Sequence, residues 1–135
     1  MRTGANDRGS VLPFTAVVLA ALVACAGLAV DGGRILAARR DATALAAAAA
    51  RRASQELAYP DLAGGVATID PVRATTVAEA YLAQAGATGS VVADPQRVSV
   101  TVTVTASTVV LGAFGIGSKS VTATRSAAPF GGGGA

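Results

Sequence analysis

The residues in this chain that could do chemistry are few and poorly grouped. Gly112-Ala113-Phe114-Gly115-Ile116-Gly117, followed by Ser118-Lys119-Ser120, has the look of a phosphate-wrapping loop. Such a loop needs its lysine directly after the last glycine and a helix beyond it. Here Ser118 intervenes and the residues from Lys119 read as a strand, so a flexible loop between strands is expected. Glu56 and Glu79 are single carboxylates on helix surfaces, with no second acid placed by sequence to share acid–base work. Serines are plentiful, but histidine is absent, which removes the usual base for a serine nucleophile. The one cysteine, Cys25, allows neither an intrachain disulfide nor a zinc cluster. The chain therefore reads as a non-enzyme, with no catalytic, cofactor-binding or metal-ligating residue, no cofactor and no small-molecule substrate.

With no reactive group to position, the elements themselves carry the argument. Val11 to Val30 reads VLPFTAVVLAALVACAGLAV, 20 residues without a charge. At ~1.5 Å per residue it spans ~30 Å, the thickness of a bilayer's hydrocarbon core. Three readings compete for this run. It can be a retained transmembrane anchor. It can be a cleaved secretory signal, because Ala24-Cys25-Ala26 fits the small-residue cleavage pattern. It can be a lipoprotein signal, because Leu22-Val23-Ala24-Cys25 resembles a lipobox. The anchor is favoured, since the apolar run continues past Cys25 to Val30 and passes without a break into a helical segment.

Length and composition agree with one span and one small domain in 135 residues. Hydrophobic residues make up 52% and aromatics only 4%, with alanine and valine dominant. Alanine buries little area, so the part beyond Pro60 is expected to lean on its own helix or on neighbouring subunits. The net charge is +3, from ten arginines and Lys119 against eight acids. Preference for Arg and Ala over Lys and Ile suggests a high-GC bacterial genome. The basic residues are dispersed without aromatic interleaving, so no nucleic-acid partner is expected. They suit a solvated face with some attraction for membrane lipid. Arg2 and Arg8 on one side of the span nearly balance Arg34, Arg39 and Arg40 on the other, so charge alone does not set the topology. The signal-like layout favours a cytoplasmic N-terminus and an exported C-terminal domain.

From Asp31 to Pro60 most residues are strong helix formers. Gly32 and Gly33 could mark a bend at the membrane surface, and Asp31 can pair with Arg34 at i,i+3. Ile35, Ala38, Ala42, Leu45 and Ala49 recur at alternating intervals of three and four, a heptad-like seam of small residues. The seam serves equally as a packing face for other subunits or as the face on which the chain's own β-domain rests. Val11 to Ala58 is expected to form one helix ended by Pro60. Asp70-Pro71 is a helix start, with Asp as N-cap and Pro at the first position. The helix Val72 to Ala85 that follows is expected to bury Val77, Ala80, Tyr81 and Ala85, with Gly86 closing it. Arg97 to Thr105 alternates valine and hydroxyl residues strictly, the signature of a half-buried strand. Asp94-Pro95 marks a turn, Ser90 to Ala93 a partner strand, and Lys119 to Ala127 a third strand.

The fold class expected is therefore α+β and membrane-anchored: a long N-terminal helix, a short helix and a small antiparallel sheet of about three strands. The divisions are a cytoplasmic head (1–10), a transmembrane helix (11–30), an alanine-rich helical extension (31–58), a small exported α+β domain (59–127) and a flexible glycine-rich tail (128–135).

One resemblance adds to this. The head ending Asp7-Arg8-Gly9-Ser10, the apolar span, and then Gly27-Leu28-Ala29-Val30-Asp31-Gly32-Gly33-Arg34 with an alanine-rich helix resemble the TadE/TadG-like group of Flp (tight adherence) pilus-assembly proteins. The resemblance covers about residues 7–58, and Gly9, Asp31, Gly33 and Arg34 are its motif positions. It implies a minor-pilin-like or pilus-assembly protein in the cytoplasmic (inner) membrane, single-pass, whose partners are other pilus subunits met through the alanine-rich helix. Members cut by a prepilin peptidase carry glycine at the cut and glutamate five residues beyond. Gly9 fits the first position, but Phe14 occupies the second, which suits the uncleaved, TadG-like type better. The alternative function is a membrane-tethered or lipidated envelope binding protein unrelated to pili.

Overall fold

The computed structural model describes residues 11–58 and 67–129. Gly9, the N-terminal head, Pro60 and the glycine-rich tail from residue 130 lie outside the described residues.

Helix α1 runs unbroken from Val11 to Ala53. It passes straight through Gly32 and Gly33, because the alanine, leucine and arginine around them hold the helical register. It ends five residues before the expected Ala58. Beyond Ala53 the backbone tightens: Gln55 N–H donates to Arg52 O (3.2 Å) and Glu56 N–H to Ala53 O (3.1 Å). These i→i−3 bonds are the tightening that helix ends commonly adopt. The Ser54 hydroxyl donates to Arg51 O at 2.9 Å, offering the backbone an alternative to continued helix. Leu57 then leaves the helix altogether and bridges Ile69 in antiparallel fashion.

Helix α2 spans Pro71–Gln84. Asp70 caps it, its carboxylate oxygen accepting from Val72 N–H (3.0 Å) and Arg73 N–H (3.2 Å). Gly86, at φ 65°, takes the left-handed conformation that follows many helix ends. The buried face of α2 is Ala74, Ala78 and Leu82. The expected face was Val77, Ala80, Tyr81 and Ala85; Val77 and Tyr81 are half-buried and Ala80 and Ala85 exposed. Tyr81 sits at the rim instead, with the Arg52 guanidinium 4.6 Å from its ring centroid, a cation–π arrangement suited to a half-wet edge.

Three antiparallel strands follow in the order β1-β2-β3. They are β1 (Thr88–Asp94), β2 (Arg97–Ser107) and β3 (Ser118–Ala127). The β1–β2 turn is the expected one, with the Asp94 carboxylate accepting from Gln96 and Arg97 N–H, both at 2.8 Å. The alternation of β2 sorts its two faces. Val98, Val100 and Val102 are fully buried. On the opposite face Thr101 and Thr103 meet Thr124 and Thr122 of β3, hydroxyl to hydroxyl at 2.9 and 3.2 Å. Gly89 lets β1 approach: a Cβ there would overlap the Thr101 carbonyl oxygen.

Among the described residues, the core lies between the sheet and the second half of α1, with α2 closing one side. Ala42, Ala46, Ala49, Ala50 and Ala53 pack against Val98, Val100, Val102 and Ala123 of the sheet and Ala74, Ala78 and Leu82 of α2. Small residues on the helix bring its axis close to the sheet. The buried valines supply most of the driving force, about 1.5–3 kcal/mol each. Architecture thus follows the expected α+β plan, with one addition: a one-turn helix, α3 (Val110–Ala113), in the connection between β2 and β3.

Candidate functional site

Asp31 sits one residue past the apolar run and is 1% exposed. Its Oδ1 accepts the backbone N–H of Val109 at 2.8 Å. Its Oδ2 accepts those of Val110 and Leu111, both at 2.9 Å. These are the N-terminal donors of α3, which have no partner within their own helix. Val109, at the capping position of α3, offers no side-chain oxygen. The cap comes instead from the other end of the chain.

One turn earlier, Gly27 lies on the same face of α1. A Cβ at that position would overlap Val110 Cγ2. The absent side chain is what lets α3 lie against the helix, and the carboxylate four residues on is what holds it there. The rest of the lobe closes on itself. Ile116 N–H donates to Leu111 O at 2.9 Å and Thr108 N–H to Gly117 O at 3.2 Å. The buried Thr108 hydroxyl donates to Ile116 O. Gly115, at φ 90°, makes the turn that brings these groups together. The expected flexible loop is thus an ordered lobe clamped to α1.

The donors set the charge state of the clamp. The N–H groups of Val109 and Leu111 pull the Asp31 pKa down, burial pushes it up, and the Val110 N–H and the charge of Arg34 add to the lowering. The net direction is downward, so Asp31 is an anion at neutral pH. Arg34 acts only through its charge, because the carboxylate oxygens face the 109–111 backbone; the expected Asp31–Arg34 pair gives way to three backbone donors in fixed geometry.

The remaining expected positions are placed as follows. Gly33 and Arg34 are exposed, and a Cβ at Gly33 would meet nothing. Of the seam, Ala38, Ala42 and Ala49 are buried, while Ile35 and Leu45 are half-buried. The stripe rests on the chain's own sheet and α2, one of the two uses open to it from sequence. Ala46, Ala50 and Ala53 belong to the same buried face. Glu56 pairs with Arg73 at 2.9 Å, and Lys119 lies on β3 opposite Ala106, away from any phosphate-loop geometry. Cys25 is exposed on the apolar half of α1.

Gly27 and the lobe backbone are the residues of this structural clamp that sequence reasoning missed. A glycine and an aspartate at i,i+4 at the end of an apolar run was the available signal. Its partner could not be read, because the acceptor binds main chain and every residue type except proline supplies an N–H.

No curated protein and no solved structure matches this chain. A family model does match, over residues 9–56. That segment holds the apolar run, Gly27, Asp31, Gly33, Arg34 and the alanine stripe. Its description is "Putative Flp pilus-assembly TadE/G-like", and residues 9–56 of the chain are similar to that family.

Proposed function

We propose that this protein is a non-enzymatic, membrane-anchored component of a Flp/Tad-type pilus or secretion apparatus, minor-pilin-like or of the TadG-like assembly type. The observation that carries the reading is the coincidence of two things in one helix. The segment that matches the TadE/G-like family is also a helix long and apolar enough to cross a membrane. Its large apolar side chains from Val11 to Val30 are exposed, as a lipid-facing surface requires. Phe14, where cleaved members carry glutamate, favours the uncleaved, TadG-like type, in which the head before the span is kept.

In this reading residues 11–30 lie in the cytoplasmic membrane, the N-terminus is cytoplasmic, and the sheet domain is extracytoplasmic. Because α1 continues from the span into the domain's core, no loop separates anchor from domain. A pull on the domain is delivered to the membrane without a flexible link, which suits a part of an assembly machine. Partner subunits meet the exposed faces of α1, since the alanine stripe is occupied by the chain's own sheet. The division into head, span, helical extension, domain and tail follows the same reading, with extension and domain sharing a core.

Alkaline phosphatase fused after Pro129 tests the topology, because that enzyme matures only outside the cytoplasm; activity is expected, and a full-length inactive fusion reverses the orientation. Loss of pilus assembly on deletion of the gene, restored by the full chain, tests the role. Assembly unaffected by deletion returns the chain to the alternative, an envelope binding protein unrelated to pili.

A further inference from the structure

We propose that the Val109–Gly117 lobe is a second membrane contact, dipping into the lipid interface beside the transmembrane helix; the proposal rests on the membrane-anchor reading above. Three observations place it there. The first is depth. Val110 packs on Gly27, four residues inside the apolar run from Asp31, which at ~1.5 Å per residue is about 6 Å toward the bilayer centre. The lobe is therefore held at the level of the last turn of the span.

The second is the outward surface. Val109 is 59% exposed, Phe114 79% and Ile116 52%, and the segment from Val109 to Gly117 contains no charged residue. Among the described residues, the only other large apolar side chains exposed outside α1 are Val72 and Val92. Apolar exposure thus collects at the lobe and continues the surface of the span. Arg34 and Lys119 flank it and are exposed, where basic groups meet anionic headgroups.

The third is the backbone. Main-chain N–H groups cannot enter a water-poor layer unpaired. Those of Val109, Val110 and Leu111 are taken by Asp31, and those of Thr108, Phe114, Gly115 and Ile116 by carbonyls within the lobe. The clamp thus does more than hold the lobe: it satisfies the donors whose exposure to lipid would otherwise be costly. The occupant this surface fits is bilayer lipid at the boundary of headgroups and acyl chains.

The chain has no tryptophan, so single-tryptophan variants of the full chain report position cleanly. Phe114→Trp, Ile116→Trp, Val18→Trp and Val92→Trp are compared in phosphatidylcholine–phosphatidylglycerol vesicles whose acyl chains carry bromine near the carbonyl end or near mid-chain. Tryptophan at 114 and 116 is expected to lose most of its emission to the shallow bromine, at 18 to the deep bromine, and at 92 to neither. Quenching at 18 without quenching at 114 and 116 overturns the proposal while leaving the anchor intact. Absence of quenching at 18, 114 and 116 alike overturns the anchor reading and this one with it. A blue-shifted but unquenched signal at 114, growing with the protein-to-lipid ratio, assigns the lobe to a second copy of the chain and also overturns the proposal.

Discussion

The carboxylate of Asp31 receives the backbone N–H of Val110, 79 residues further along the chain, at 2.9 Å. The side chain of that valine occupies the space left by Gly27, one helical turn before the aspartate. This glycine–aspartate pair joins the end of the apolar run to the far end of the β-sheet, and most of the testable consequences of the structure start from it.

Asp31→Asn keeps the shape but loses the anion and one acceptor oxygen, so the lobe should loosen. Faster hydrogen exchange at Val109, Val110 and Leu111 is the expected result, with the sheet core unaffected. Protection equal to wild type would show that the lobe holds without the carboxylate.

The same clamp carries a pH dependence. A carboxylate whose pKa is lower folded than unfolded contributes its full stability above the unfolded value, about 4. That contribution drains away as pH falls through the lowered folded value. Asp31 is shifted downward, so protection at 109–111 should persist through neutral pH and fail below about pH 4. In Asp31→Asn that acid loss should flatten. An equal loss in both proteins would assign it to other carboxylates.

Gly27→Ala should push Val110 away, at about 1–3 kcal/mol for overpacking a close contact. Val110→Ala in the same chain should recover much of that loss, giving a coupling energy between two residues far apart in sequence. Additive effects by thermal denaturation would dissolve the contact.

The alanine stripe gives a sharper contrast. Ala42 and Ala49 are wholly buried under the sheet, whereas Ala44 is exposed. Ala42→Trp with Ala49→Trp should prevent the domain from folding, read as lost protease resistance and as loss of co-purifying pilus components. Ala44→Trp should leave the fold intact. If Ala44→Trp nonetheless abolishes co-purification, the partner-facing side of α1 is located directly.

Asp70→Ala removes the α2 cap and should cost about 1 kcal/mol. For a domain of this size that is a fall of roughly 4–8 °C in Tm. Asp70→Ser should restore most of it, since the serine hydroxyl can accept from the same two N–H groups.

The elements of this chain were legible because their signals are local. An uninterrupted apolar run of bilayer length, an Asp-Pro helix start, an Asp-Pro turn and a strict valine–hydroxyl alternation each depend on neighbours within a few residues. Local signals placed β2 to within two residues and left β1 short, because Thr88 joins the ladder only through its pairing with Thr103. Register within the alanine run was not legible. From Ala46 to Ala50 every position is alanine, so no periodicity distinguishes Ala46 and Ala50, which face the core, from Ala47 and Ala48 between them. The face of α2 was misread for a related reason: the sheet and α1 select small Ala74 and Ala78 where the elements come closest, leaving Val77 and Tyr81 at the rim. Least legible of all was the role of Asp31. Its sequence neighbour Arg34 was a plausible partner, but three backbone N–H groups in fixed geometry outcompete one mobile side chain. Those donors belong to residues of no particular type and reach Asp31 only after the sheet has folded back along the helix.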